Sequence, residues 1–254
     1  MRNFGKIGLG ILVSLIAATG SASASCSNSN LNGAYGFIVR GLADPSNNPV
    51  STVGLFTADG SGHLSSGSFT QSNNGTVATA TFTGTYNIDA GNCTGALTTT
   101  DSNSVTRHYY VVLTGAKKDT MDLIETDSGL TVSGSARPQG VGICGLTGKS
   151  AVFAEHLNGM AGGETPEAVV GRLGIDGNGN ISGGVDELSA GGTAFPRAHT
   201  TGTYTANSNC TGTAAISLNN ATYNFNYVLV DAGRQYLVIE TDINTTIAGT
   251  FTIE

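Results

Sequence analysis

The segment Val53-Gly-Leu-Phe-Thr-Ala-Asp-Gly-Ser-Gly-His-Leu-Ser-Ser-Gly67 returns later in the chain as Val170-Gly-Arg-Leu-Gly-Ile-Asp-Gly-Asn-Gly-Asn-Ile-Ser-Gly-Gly184. In each copy a run of apolar and small residues leads into an Asp-Gly turn sequence, and a second run follows it. Asp-Gly between two such runs is typical of a β-hairpin. The two segments therefore predict an all-β chain that contains two copies of one unit.

The duplication extends over nearly the whole chain. Four further pairs of segments match in the same order: Gly84–Tyr86 with Gly202–Tyr204, Asn92–Gly95 with Asn209–Gly212, Tyr110–Leu113 with Tyr227–Val230, and Ile124–Asp127 with Ile239–Asp242. The chain is thereby divided into a first repeat over 25–138, a linker over 139–143 and a second repeat over 144–254.

The first repeat contains eight short alternating runs between Tyr35 and Ala136, joined by turns rich in Gly, Asn and Asp. About eight strands joined in sequence predict an up-and-down antiparallel β-barrel. Closing the sheet also protects edges that would otherwise promote aggregation. The predicted fold is therefore two homologous antiparallel up-and-down β-barrels of about eight strands each.

The first 24 residues predict an export signal. Arg2 and Lys6 precede an apolar run over 7–18, and Ala22-Ser-Ala24 is an A-x-A cleavage site. The mature chain should begin at Ser25 and reach the periplasm, the cell surface or the medium. The sequence has no second long apolar run, so no transmembrane segment is predicted. Cys26 lies where a lipoprotein carries its lipid. A lipid-modified Cys26 is therefore the alternative to simple cleavage before Ser25.

The cysteines follow the same twofold pattern. Cys26 and Cys144 open the two repeats, and Cys93 and Cys210 occupy the same Asn-Cys-Thr-Gly turn. Four cysteines allow three pairings. Only Cys26–Cys93 with Cys144–Cys210 places the same bond in each repeat, and an exported chain is expected to be oxidised.

The charge of the chain excludes one class of partner. Lys and Arg together number 11 against 18 Asp and Glu, which gives a formal net charge of −7. A nucleic-acid binder needs a basic face. The sequence therefore predicts no nucleic-acid partner, and it leaves a small-molecule ligand or a cell-surface partner.

Several of these motifs together resemble a known kind of protein. Asn32–Phe37, Thr57–Gly62, Gly84–Tyr86, Asn92–Gly95 and Ile124–Asp127 are similar to repeats of exported bacterial β proteins without an established activity. The Asp-Gly hairpins also resemble those of calycin barrels such as avidins and lipocalins. Avidin-type biotin sites use Trp, and this chain has none.

Strand alternation provides candidate pocket residues. It predicts that His108 and Tyr110 point into the first barrel, as Phe225 and Tyr227 do in the second. Glu125 lies on the face of Met121 and Leu123, and Glu240 lies on the face of Tyr236 and Val238. A carboxylate on an apolar face must be paired, protonated or close to the rim. The predicted pocket residues are His108, Tyr110, Glu125, Phe225, Tyr227 and Glu240.

No metal or cofactor site is predicted. The segment Asp176–Asn180 places oxygen ligands at alternate positions, but it lacks the Gly of a calcium-binding loop and is better explained as a hairpin turn. The leading hypothesis is an exported, non-catalytic protein that binds a small molecule inside a barrel. Its alternatives are a structural or surface-interaction protein of the cell envelope or extracellular matrix, and an enzyme using Glu125 or Glu240 as acid or base.

Overall fold

The computed structural model describes residues 25–140, 144, 150–218 and 221–254. Within them the chain forms two closed antiparallel barrels of eight strands each, which confirms the predicted two-barrel, all-β fold. Every strand pairs with its neighbours in sequence, and the last strand of each barrel pairs with the first. The predicted signal peptide over 1–24 and most of the linker over 139–143 lie outside the described residues.

The strands follow the hairpin signals of the sequence closely. Barrel one consists of β1 (Asn32–Ala43), β2 (Asn48–Asp59), β3 (His63–Asn73), β4 (Thr76–Ile88), β5 (Thr94–Asp101), β6 (Thr106–Thr114), β7 (Thr120–Glu125) and β8 (Leu130–Pro138). Barrel two consists of β9 (Ala151–Ala161), β10 (Thr165–Ile175), β11 (Asn180–Ala190), β12 (Thr193–Ala206), β13 (Thr211–Leu218), β14 (Ala221–Val230), β15 (Gln235–Glu240) and β16 (Thr245–Ile253). Among the described residues, no helix is long and apolar enough to cross a bilayer.

The four cysteines pair as the repeat symmetry predicts. Cys26 is bonded to Cys93 and Cys144 to Cys210, which closes a sequence separation of 67 residues in barrel one and of 66 in barrel two. Each bond ties the start of a repeat to the turn before the fifth strand of its barrel. A thiol engaged in this way is not available to a lipid, so the bond at Cys26 disagrees with the lipoprotein alternative.

The segment before β1 closes one end of barrel one. Cys26 and Leu31 are fully buried there. The Tyr86 hydroxyl contacts the carbonyl oxygens of Leu31 and Asn28 at 2.8 and 3.1 Å. We call this the disulfide end. The opposite end, formed by the loops 44–47, 74–75, 102–105 and 126–129, is called the open end.

The two barrels lie side by side with their open ends on the same side of the molecule. An apolar cluster joins their outer surfaces: Ile38, Val53 and Leu55 of barrel one with Val228, Val230, Leu237, Ile239 and Ala248 of barrel two. At the open ends the Asn244 N–H donates to the Gly75 carbonyl oxygen at 3.0 Å. At the disulfide ends Arg137 and Asp231 form an ion pair at 3.0 Å. The strands at this contact are therefore apolar on both faces.

Gly75 is expected to be a sensitive point of this interface. Its φ is +77°, and a Cβ there would lie 2.3 Å from the Asn244 Cα. Gly129 has almost the same φ, +81°, but open space around it. In both alanine variants the free energy of unfolding should fall by about 1 kcal/mol, because alanine is strained in a left-handed backbone. Gly75→Ala should lower the free energy of unfolding by at least about 1 kcal/mol more than Gly129→Ala does, because the barrels must move apart. Urea unfolding of the two variants measures this difference, and equal losses would contradict it.

Candidate functional site

Barrel one contains an interior cavity of about 80 Å³ that reaches the open end. Its inner wall is apolar, with four phenylalanines among aliphatic side chains, and includes Phe37, Phe56, Phe69, Phe82, Leu97 and Leu123. Barrel two contains two voids of about 30 Å³ each. A buried water needs about 10–15 Å³ by this measure, so the first cavity has room for about six waters and each of the others for about two.

Polar groups lie on the part of the wall nearest the open end. They include Gln71, Thr99, Asp101, Arg107, Tyr109 and Glu125. Tyr109 pairs directly with Glu125 across β6 and β7, and Arg107 lies two residues earlier on the same face of β6. Because side chains in a strand alternate between its two faces, Arg107 and Tyr109 both point into the barrel. The cavity therefore combines an apolar interior with a polar mouth.

Glu125 and Arg107 form the central ion pair of this mouth. The Arg107 Nη1 atom donates to Glu125 Oε1 at 3.0 Å, with the Glu125 side chain 3% exposed and the Arg107 side chain 25% exposed. Burial raises the pKa of Glu125, and the bond to Arg107 opposes that increase without cancelling it. Burial also raises the pKa of Tyr109, with Glu125 adding to the effect. Tyr109 is therefore a neutral hydroxyl beside the pair.

His108 and Tyr110 were predicted to face this cavity, and that prediction is wrong. Tyr110 is 47% exposed on the outer surface of barrel one. The His108 side chain is 54% exposed, and its Nδ1 atom lies 2.8 Å from Asp127 Oδ1 outside the barrel. Arg107 and Tyr109, which were not predicted to face the cavity, occupy the inner face instead.

The error came from a shift of one residue between the two repeats. The N–H groups of Leu113 and Leu229 make the same 2.8 Å bond to the disulfide cysteine of the turn before the fifth strand, so these leucines are equivalent. Equivalent residues in this strand are thus 116 apart, whereas pairing Tyr110 with Tyr227 assumes 117. A shift of one residue moves every side chain to the other face of a strand.

The role of His108 is explained by its equivalent in barrel two. There Asn224 Nδ2 donates to Asp242 Oδ1 at 2.7 Å, and the Asn224 N–H donates to Asp242 Oδ2 at 2.7 Å. In barrel one the His108 N–H donates to Asp127 Oδ2 at 2.7 Å in the same way. The side-chain nitrogen of His108 or of Asn224 thus bonds to the aspartate of the same turn in its barrel. His108 is therefore a structural residue.

In the hairpin at Asp176–Asn180, which was compared with a calcium-binding loop, the carboxylate oxygens bond to groups of the hairpin itself. Asp176 Oδ1 accepts from the N–H groups of Asn178 and Asn180, and Asp176 Oδ2 accepts from Asn180 Nδ2 at 2.7 Å. His63 and Asp59 repeat this arrangement in barrel one, at 2.9 Å. Within the described ranges no group of three acidic, His or Cys side chains could hold a metal ion.

Barrel two has charged residues at three positions where the wall of barrel one is apolar. The positions of Phe37, Val50 and Phe69 are occupied by acidic residues in the second repeat: Glu155, Glu167 and Asp186. Arg197 pairs with Asp186 through two bonds of 2.6 and 2.9 Å, and its guanidinium lies 5.9 Å from the centre of the Tyr223 ring.

Glu240 and Glu125 are equivalent in sequence but differ in their surroundings. Tyr223 stands where Arg107 does in barrel one, and Arg197 bonds to Asp186 instead of Glu240. Burial, helped by the neighbouring charges of Asp242 and Glu167, raises the pKa of Glu240 to about 7. Such a carboxyl group can take up and release a proton near neutral pH.

Phe225 and Tyr227 do face the interior of barrel two, as predicted. They are 5% and 6% exposed, and the Tyr227 hydroxyl donates to the Thr205 carbonyl oxygen at 2.6 Å. They pack against Phe251 and Tyr236 respectively, with ring centres 6.1 and 5.2 Å apart. These aromatic side chains fill much of barrel two, and the two voids described above are small.

Comparison with known proteins adds little to this geometry. No family model matches the chain, and no curated protein matches it. Among solved structures, the chain is similar to kievitone hydratase from Nectria haematococca, with 8% identity, a TM-score of 0.28, and coverage of 92% of this chain and 94% of that one. At this level of similarity the hydratase gives no information about the activity of the present chain.

Proposed function

We propose that this chain is an exported binding protein that holds one small, largely apolar molecule inside barrel one. The observation that carries the proposal is the cavity of about 80 Å³, with one end closed by the segment at Cys26–Leu31 and the other end open. Ligand sites are commonly concave and apolar, with a few polar groups that set orientation. Arg107, Tyr109 and Glu125 provide such groups at the mouth.

The size of the cavity limits the ligand. Six waters in the liquid occupy about 180 Å³, at about 30 Å³ each. A molecule that displaces them has one or two fused rings, or an aliphatic chain of similar volume. The phenylalanine rings favour an aromatic body, because aromatic pairs add to the free energy of simple burial. Barrel two has too little free space for the same role.

The remaining parts of the proposal concern compartment and ancestry. Two disulfides support export, since such bonds persist in oxidising compartments. The closed eight-stranded barrels support the calycin-like resemblance. Membership of the exported bacterial repeat proteins is proposed on the sequence motifs alone.

The test uses 1-naphthalenemethanol, a neutral two-ring molecule of suitable size. The chain has eight Tyr and no Trp, so a naphthyl group bound beside Tyr109 should quench tyrosine emission. We expect saturable binding of one molecule per chain. Val39→Phe fills the cavity and should weaken binding at least tenfold, while Val170→Phe on the outer surface should not.

Thermal unfolding of each variant shows whether it is folded. No saturable quenching by wild-type protein, or unchanged binding by a folded Val39→Phe variant, would count against a ligand site in barrel one.

A further inference from the structure

The loops around the mouth of barrel one carry charge of one sign. Asp44 follows β1, Asp101 ends β5 and Asp127 lies between β7 and β8. The four loops of the open end contain no Lys or Arg. The two lysines of the loop between β6 and β7, Lys117 and Lys118, are at the disulfide end. A ligand approaching the cavity therefore meets an acidic rim.

The positive groups near the mouth are already engaged. Arg107 is paired with Glu125 at 3.0 Å, so this pair is neutral as a whole. Asp127 is held by His108. Arg40, on the neighbouring strand β1, points outward and donates to the Ala248 carbonyl oxygen of barrel two at 3.0 Å. The rim is left with an excess of negative charge.

Of the three aspartates at the rim, Asp101 is the one that lines the cavity itself. Its Oδ1 atom accepts from the N–H groups of Asn103 and Val105 at 2.8 and 3.0 Å. These bonds fix the carboxylate at the mouth, beside the polar part of the wall. Its negative charge therefore lies at the mouth, where the head group of a bound ligand would stop.

We propose that barrel one selects cationic over anionic ligands, and that Asp101 is a residue that sets this specificity. The ligand class is an aromatic or aliphatic body that enters the apolar interior, with an amine or other positively charged group left at the mouth. This inference rests on the proposed function and adds the sign of the ligand's charge. A charge of either sign at the mouth is partly screened by water, so the effect depends on salt.

The test compares three molecules with the same two-ring body. They are 1-naphthylmethylammonium, 1-naphthalenemethanol and 1-naphthoate, measured by tyrosine quenching with the full chain at low salt. We expect the cation to bind at least about tenfold more tightly than the anion. The ratio should fall towards one in 0.5 M NaCl, because screening at that concentration extends over only a few ångströms.

Asp101→Asn tests the assignment of the residue. The amide oxygen can keep the two turn bonds while the charge is lost, so we expect the cation-to-anion ratio to fall severalfold with little change in binding of the neutral alcohol. Asp122→Asn, on the exposed outer face of β7, is the matched control and should leave the ratio unchanged.

The outcomes separate this inference from the proposed function. If the alcohol binds and the anion binds as tightly as the cation, the selectivity is overturned while the cavity remains a ligand site. A ratio that Asp101→Asn leaves unchanged overturns the role of Asp101. If none of the three molecules binds, the proposed function itself is wrong.

Discussion

Replacing Cys144 and Cys210 with alanine is expected to lower the free energy of unfolding by about 4 kcal/mol. The bond joins residues separated by 66 positions, and on the chain-entropy model a loop of this length restricts the unfolded chain by about that amount. Cys26→Ala with Cys93→Ala should cost about as much, because its loop is of nearly the same length. Denaturant unfolding of the two double variants measures both losses.

The double variant Cys26→Ala with Cys93→Ala has a second expected effect. Its disulfide holds the segment that closes the floor of the cavity, where Leu31 is fully buried. Loss of the bond should therefore weaken binding of 1-naphthalenemethanol, whereas the variant of barrel two should keep it. A loss below about 1 kcal/mol in either variant would contradict the entropic account of these bonds.

Much of the fold could be predicted because hairpin chemistry is local. Asp-Gly turns mark the strand ends, and a repeated cysteine pattern fixes the pairing. The inner face of β6 could not be predicted in the same way, since Tyr109, Tyr110, Val111 and Val112 are all apolar or aromatic and show no alternation. In such a run a single deleted residue decides which side chains enter the barrel.

The contact between the barrels has a signal in the sequence. Val228-Leu-Val230 and Leu237-Val-Ile239 are continuous apolar runs, and such runs indicate strands buried on both faces. The charged interior of barrel two was harder to foresee. Asp186 and Arg197 fit an exposed strand equally well, and their direct pairing depends on the register of β11 with β12.

Glu240→Gln is expected to stabilise the protein by about 3 kcal/mol at pH 8 and to change little at pH 5. The folded-state pKa of Glu240 is about 7, above the ordinary 4.5, so the folded state holds a proton that the unfolded state releases between these values. Stability is therefore lost as pH rises from 4.5 to 7, by about 1.4 kcal/mol per unit. Glutamine keeps the shape of the protonated group and removes this loss.

Glu125→Gln is the matched control, because it alters the equivalent residue of barrel one. There the carboxylate accepts from the half-buried Arg107, and its loss leaves that guanidinium without a partner charge. Because the bond to Arg107 opposes most of the effect of burial on the pKa of Glu125, the control should gain clearly less stability at pH 8 than Glu240→Gln does. Urea unfolding of wild type and both variants at pH 5 and 8 measures the two effects. A Glu240→Gln variant less stable than wild type at pH 8 would mean that the buried carboxylate is held by a favourable contact.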